Sequence, residues 1–373
     1  MSRIRLPSIP LAFPAEAHPS VDIDHPETDR FEAATRAYFD RFSMYVDETQ
    51  RVRMYKAENA RLGAWLYPVG RDELVQVGID FCIWAFAFDD EYCDEGPISG
   101  KPALFMQKVV EIQRAMEAPE EPPTTSDRYA LAARDMRQRL DRFATPIQVG
   151  RFVEGFRTYM MTEMWKALTP KPTLDDYLIM RMFGGGGWAF TVLVHVIAGA
   201  HVTQEEYEDR RVRALTEMIA AVVTWDTEPF AYVKEIARMD DGKEHNILRV
   251  IIRERQCSFE EAFAIYLDMR WRVLCLFNRL SEEVRKDASP AVHEYIRTLT
   301  LFCSGGTVWS QANHRYGSIS GMEPDGAFDG GDLIYECPPE SFESMGMASC
   351  EWWWEHDPAR QAMKQATPLR KVA

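Results

Sequence analysis

Basic charge is what this chain is short of. Its 43 lysines and arginines are outnumbered by 58 aspartates and glutamates, for a formal net charge of −15 at pH 7. A surface this acidic repels nucleic acid and anionic membranes, so no nucleic-acid partner is expected. Cysteine pairing is missing too. The seven cysteines (Cys82, Cys93, Cys257, Cys275, Cys303, Cys337 and Cys350) are odd in number, scattered and never spaced CxxC, which suggests neither a disulfide framework nor a zinc site. No run approaches the roughly 18 uninterrupted apolar residues of a membrane span. The opening MSRIRLPSIPLAFP sets prolines where a signal peptide needs an apolar core. The expected location is therefore the reducing cytoplasm. Strand alternation and hairpin dipeptides are nearly absent, as is any repeat of fixed period.

What is present is helical periodicity. With 46% hydrophobic residues over 373 positions, there is ample material for a large core. Helical stripes run over 28–45, 71–95, 103–116, 126–142, 146–167, 188–200, 204–226, 258–285 and 289–316. The expected fold is all-α. Residues 1–26 read as a proline-rich irregular arm, 27–316 as one helical domain, and 317–373 as an irregular tail containing Trp352, Trp353 and Trp354.

Three segments carry chemistry. The first is FDDEYCDEGP at 88–97, the end of a long apolar helix. Asp89, Asp90, Glu91, Asp94 and Glu95 repel one another there, and a helix C-terminus disfavours negative charge. Bound cations relieve both problems, and hard carboxylate oxygens suit Mg²⁺. Asp90 and Asp94 share a face at i,i+4. A solvated acidic helix end is the competing reading, but the flanking Trp84, Phe86, Phe88 and Tyr92 set the cluster at the mouth of an apolar cavity. The second segment is WSQANHRYG at 309–317, in which Arg315 offers a fork of donors to phosphate beside Tyr316. The third is DDYLIMRMFGGGGW at 175–188. Arg181 lies on a helical turn there, and the four glycines that follow, each costing about 1 kcal/mol relative to alanine, break or kink the helix.

An acidic DDxxxD-type motif, a mid-chain arginine before a helix break and a terminal Arg-Tyr pair together resemble the bacterial class I terpene synthases (terpene cyclases) over roughly residues 8–316. The Tyr67-Pro68 step and the GKEHNILRVI stretch with CSFEEAF behind it belong to the same resemblance. It implies a single-domain helical bundle around an apolar cavity. It also implies Mg²⁺, three ions in the closed complex, holding a prenyl diphosphate. Asp89 then corresponds to a metal ligand supported by Asp90 and Asp94. Arg181 matches the diphosphate-sensing arginine, Gly184 and Gly185 match the linker and effector positions at the helix break, and Arg315 with Tyr316 matches the diphosphate-binding pair. Family members often pair as homodimers.

One motif departs from the pattern. The family's second metal site uses Asn, then Ser or Thr, then Glu at i, i+4 and i+8. The Lys234-Glu235 ending of WDTEPFAYVKE places Thr227, Ala231 and Glu235 at those positions, with Arg181 46 residues before Thr227. Only Glu235 is an ordinary ligand, and Pro229 is expected to disrupt the helix. Either a kink rotates Asp226 or Glu228 into the lost places, or this site is weakened and the chain is a non-catalytic or diverged binder of an isoprenoid or partner. A prenyltransferase would want a second aspartate-rich motif, and the pairs at 175–176 and 240–241 lack its surroundings. The reading carried forward is a Mg²⁺-dependent cyclase of farnesyl diphosphate first and geranylgeranyl diphosphate second. Arg181, Lys234 and Arg315 face the diphosphate in that reading. Phe81, Phe86, Phe183, Trp188, Trp225, Phe302 and above all Trp309 are candidate cavity walls, and plain core packing is the alternative for each. His195 and Cys82, in apolar runs, read as core.

Overall fold

Helix caps written into the sequence set the boundaries of the bundle. Thr145 with Gln148, Thr203 with Glu206 and Ser258 with Glu261 each form a reciprocal capping box, and Asp127 accepts from the amides of Tyr129 and Ala130. The computed structural model describes residues 4–11, 13, 27–94, 96–123, 125–238, 243–322 and 327–366. In chain order the helices are α1 (Thr28–Arg41), α2 (Glu48–Lys56), α3 (Asn59–Leu66), α4 (Asp72–Phe88), α5 (Pro102–Glu117), α6 (Arg128–Phe143), α7 (Pro146–Leu168), α8 (Leu174–Gly184) and α9 (Gly187–Ile197). They continue with α10 (Gln204–Glu208), α11 (Arg210–Arg238), α12 (Ile247–Arg255), α13 (Phe259–Arg285), α14 (Pro290–Ala312), α15 (His314–Gly317) and α16 (Pro358–Ala366). The expected all-α class is what is found.

The centre is α11, which packs against α8, α9, α13 and α14. Its residues Met218, Ile219, Ala220, Ala221, Val222 and Trp225 have no solvent exposure. Pro229 lies inside this helix without ending it. A proline inside a helix costs about 3 kcal/mol, and burial of Trp225, Phe230, Ala231 and Val233 on both sides of it outweighs that cost.

Two local irregularities shape the site. Beyond α4 the chain widens into a π-type turn over Asp89–Asp94, a distortion that recurs at functional sites. Between α8 and α9 the helix breaks where the glycines predicted it. Gly186 has φ +73°, and a Cβ on Gly187 would lie 2.6 Å from the Ala220 carbonyl of α11, so both positions need glycine. The stretch Leu174–Ile197 is apolar enough to count as a membrane-span candidate by composition, but it is these two helices, and 72% of its most apolar window is buried inside the bundle.

The arm and tail differ from expectation. Ile4–Leu6 (β1) pairs in parallel with Phe328–Gly330 (β3), and Ile9–Pro10 (β2) with Leu333–Ile334 (β4). The ends of the chain thus hold each other by backbone hydrogen bonds. Residues 14–26 of the arm, and 323–326 and 367–373 of the tail, lie outside the described residues. Further on, Glu351–His356 forms a 3₁₀ turn whose Trp353 and Trp354 are fully buried with rings stacked. Trp353 donates its indole N–H to Glu217 of α11 at 3.0 Å, and Arg279 of α13 holds Asp357 through two contacts at 2.8 and 3.1 Å. The tail is therefore part of the body. Trp353→Ala is expected to cost about 3–5 kcal/mol, read as a fall in the urea unfolding midpoint at unchanged slope. A loss below about 0.5 kcal/mol, the size of an ordinary surface substitution, would mean that the tail docks without contributing stability.

Candidate active site

The ends of α4, α7, α8, α11 and α14–α15 converge on one pocket. Its carboxylates are Asp89, Asp94 and Glu235, its cations Lys166, Arg181, Lys234 and Arg315. Phe86, Met180, Gly184, Gly185, Phe190 and Tyr316 form the remaining walls, with Tyr159, Tyr177, Thr227 and His245 at polar positions. An acidic chain has here gathered four cations, which is the local reversal of sign that an anionic ligand requires.

The acidic motif divides its labour. Asp89 and Asp94 face the pocket. Asp90 turns away from it, buried, and receives Arg315 in a two-pronged ion pair at 2.8 and 3.2 Å. Glu91 turns away from the pocket to Tyr129, from whose hydroxyl it accepts a hydrogen bond, and to Arg128. Glu95 lies outside the described residues, as does the 240–241 pair. Asp175 is taken up by Ser349 and Asp176 by Thr173.

Opposite the motif, α7 presents two residues that the sequence reading missed. Lys166 Nζ lies 3.0 Å from Asp89 Oδ1, 3.5 Å from Asp94 Oδ1 and 2.8 Å from Glu163 Oε2. Burial raises the Asp89 pKa, but Lys166 and Arg315 outweigh it and hold the carboxyl well below the usual range. Asp94 is pushed up to about 7, first by burial and then by the Asp89 charge. Burial lowers the Lys166 ammonium, but Asp89, Asp94 and Glu163 together raise it well above its ordinary value. The signal for this pair was a Glu-x-x-Lys step inside the apolar stripe of 146–167, which reads as an ordinary i,i+3 surface pair.

The altered second motif is explained by geometry. Arg181 donates to the Thr227 hydroxyl at 2.9 Å and pairs with Glu228 at 2.6 Å. Thr227 in turn donates to the Thr224 carbonyl, so its oxygen is engaged twice. Glu228 also accepts from the Tyr177 hydroxyl and the Ile247 amide, both at 2.5 Å. It is buried against the arginine and is not among the residues lining the pocket. Burial, opposed by Arg181, pushes its pKa up to about 7. Asp226 faces the other way, fully buried against Arg270, Tyr266 and Thr307. Neither proposed substitute reaches the pocket. Glu235 does, and Asn246, the N-cap of α12 that the sequence reading passed over, steadies it with an amide bond of 2.8 Å.

The aromatic candidates separate in the same way. Phe86 lines the pocket under Arg315, whose guanidinium sits 4.4 Å from the ring centroid. Trp309 stands behind Phe86, stacked at 5.5 Å and 9°, and meets Tyr316 edge-on. Phe81, Trp225 and Phe302 are fully buried in the core and are not among the residues lining this pocket. Phe183 and Trp188 pair with each other, Arg213 covers Trp188, and neither is among the residues lining this pocket. His195 and Cys82 are buried core residues.

The donor chemistry of the first cluster fits a hard divalent cation, with carboxylate oxygens converging in one small volume. Asp89, Cys93 and Glu163 bring potential ligand atoms within 4.8 Å of one another. The second motif contributes one carboxylate, Glu235, and Ala231 brings no donor.

Comparison with known proteins agrees with this geometry. Residues 80–275 match the family model described as terpene synthase family 2, C-terminal metal binding. The chain is 33% identical over 337 residues to (+)-(1(10)E,4E,6S,7R)-germacradien-6-ol synthase from Streptomyces pratensis, spanning 88% of this chain and 93% of that one. It is 26% identical to 4-epi-cubebol synthase ((2E,6E)-farnesyl diphosphate cyclizing) from Streptosporangium roseum, over 84% and 92% of the two chains. A crystal structure of a protein from ancestral sequence reconstruction superposes with a TM-score of 0.74 at 29% identity, covering 89% of this chain and 95% of its own.

Proposed function

The chain belongs to the bacterial class I terpene synthases, and from this premise we propose that it ionises a linear prenyl diphosphate and cyclises the resulting carbocation, with release of diphosphate. Farnesyl diphosphate is the substrate this reading puts first, as in the Streptosporangium relative. Geranylgeranyl diphosphate comes second. The observation that carries the reading is the pocket itself, where the cations Lys166, Arg181, Lys234 and Arg315 and the carboxylates Asp89, Asp94 and Glu235 surround a space walled at its inner side by Phe86 and Phe190.

Mg²⁺ held by Asp89 and Asp94, with Glu235 opposite, would supply the Lewis acidity that makes diphosphate a leaving group. Arg315 and Arg181 then bind the departing diphosphate through forked hydrogen bonds. Arg315 is held in place by Asp90, and Arg181 by Glu228 and Thr227. The helix break at Gly184-Gly185 borders the pocket, where its backbone would lie beside the ionising bond. Phe86, backed by Trp309, offers a π face to the allylic cation. Buried apolar walls keep water from it.

The test is incubation of the purified protein with Mg²⁺ and geranyl, farnesyl or geranylgeranyl diphosphate, with the volatile products analysed by gas chromatography and mass spectrometry. A cyclic hydrocarbon or alcohol from farnesyl diphosphate is expected, and no product from any of the three would overturn the reading. Chelation by EDTA should drop turnover below detection, and excess Mg²⁺ should restore it. Undiminished turnover in EDTA would exclude the metal.

A further inference from the structure

The reading above assigns the acidic motif to a divalent cation, yet the motif already has a cation of its own. Lys166 Nζ sits among Asp89, Asp94 and Glu163 at 3.0, 3.5 and 2.8 Å. These are contact distances to both pocket-facing carboxylates of the motif at once. Glu163 deepens the seat. Its side chain has no solvent exposure, and beside the Cys93 thiol the Lys166 ammonium is the charge that compensates it. The Lys166 side chain is itself only 13% exposed. A fixed positive charge at this distance from two carboxylates opposes entry of a second one, and it does so strongly where water is scarce.

We propose that Lys166 is a tethered counter-ion that occupies the first metal seat, so that a divalent cation binds the Asp89–Asp94 pair only as the ammonium leaves it. The inference rests on the metal-dependent reading of this pocket but concerns metal binding, not turnover. The lysine also lines the same cavity as Arg181, Lys234 and Arg315. A displaced ammonium on its flexible four-carbon stem therefore has the diphosphate position as its next anionic partner. Metal and diphosphate then favour each other's binding, because the anion gives the released lysine somewhere to go. The arrangement keeps the carboxylates neutralised in the empty protein and makes tight metal binding conditional on the diphosphate.

The experiment is Mn²⁺ binding to the full chain without any diphosphate, followed by electron paramagnetic resonance of the free ion. Lys166→Met, close in volume and without charge, is expected to bind Mn²⁺ at least about tenfold more tightly than the wild type, and Lys166→Arg, which keeps the charge, to stay near it. Inorganic diphosphate should tighten Mn²⁺ binding by a smaller factor in Lys166→Met than in the wild type. Equal or weaker Mn²⁺ affinity in folded Lys166→Met would overturn the proposal. If that variant does not fold, Glu163→Gln with Lys166→Met removes the buried partner charge as well. A rise in Tm with Mn²⁺ larger than the wild type's supports the proposal, and an equal or smaller one overturns it. Because no product is measured, an inactive protein would sink the cyclase reading without affecting this result.

Discussion

Asp226→Ala is expected to cost about 3–5 kcal/mol of folding stability, visible as a large drop in the urea midpoint and in Tm. Asp226 has no exposed surface and accepts four hydrogen bonds: from Arg270 Nε at 2.7 Å and Nη2 at 2.8 Å, Tyr266 at 2.7 Å and Thr307 at 2.6 Å. Arg270 is itself 3% exposed and reaches on to the Pro10 carbonyl at 2.7 Å. One carboxylate thus ties α11 to α13, α14 and the N-terminal arm. Removing it leaves a buried guanidinium without its counter-charge, and that uncompensated charge is the larger part of the expected loss. Adding Arg270→Met removes the orphaned charge and should recover much of the stability, a coupling that a double-mutant cycle measures. A metal ligand would behave otherwise, with an unchanged Tm in the absence of metal and a diminished rise on adding Mn²⁺ with inorganic diphosphate. That pattern would return Asp226 to the site.

The placement of Asp226 against α13 and α14 marks where sequence reading loses its hold. The i, i+4, i+8 spacing groups Thr227, Ala231 and Glu235, of which Thr227 and Glu235 line the pocket, but a neighbour one position away is rotated about a quarter turn, and Asp226 lands against α13 and α14. Several long helices with a clear stripe were legible to within a few residues: the stripes 126–142, 258–285 and 289–316 correspond to Arg128–Phe143, Phe259–Arg285 and Pro290–Ala312, whereas the stripe 204–226 stops twelve residues short of the end of α11, found over Arg210–Arg238. Short ones were not. Glu48–Lys56 and Asn59–Leu66 span too few turns for periodicity to register, and α3 is buried on nearly all sides, so it has no polar face to alternate with. The β1–β3 and β2–β4 ladders were invisible because each strand is two or three residues long and its partner lies more than 300 positions away. Within the pocket, Asp89 stood out through its acidic cluster, and Arg181 and Arg315 through the resemblance of their motifs to the family. Lys166 could not, since a lysine three residues from a glutamate near a helix end is the commonest of surface patterns, and only the fold turns it inward.

Arg315→Ala should lower turnover by about 10²–10³-fold, the loss typical of removing one preorganised donor from a site where negative charge develops. The side chain is 9% exposed, bonded to Asp90 by two prongs and supported from below by the Phe86 ring at 4.4 Å. That leaves its fork with almost no freedom, so binding an oxyanion costs little reorganisation. The alanine variant also strands Asp90, itself buried, so some stability is lost along with activity, and the two effects must be separated. Arg315→Lys serves that purpose. It keeps a positive charge near Asp90, and with it most of the stability, but loses the planar fork, so kcat should fall well below wild type while Tm moves little. Asp90→Asn tests the other half of the pair. If Asp90 acts by positioning Arg315, this variant should lose kcat without weakening Mn²⁺ binding, whereas a ligand would lose both. Full turnover in Arg315→Ala would remove the arginine from the diphosphate site and leave Arg181, Lys234 and Lys166 to neutralise the leaving group.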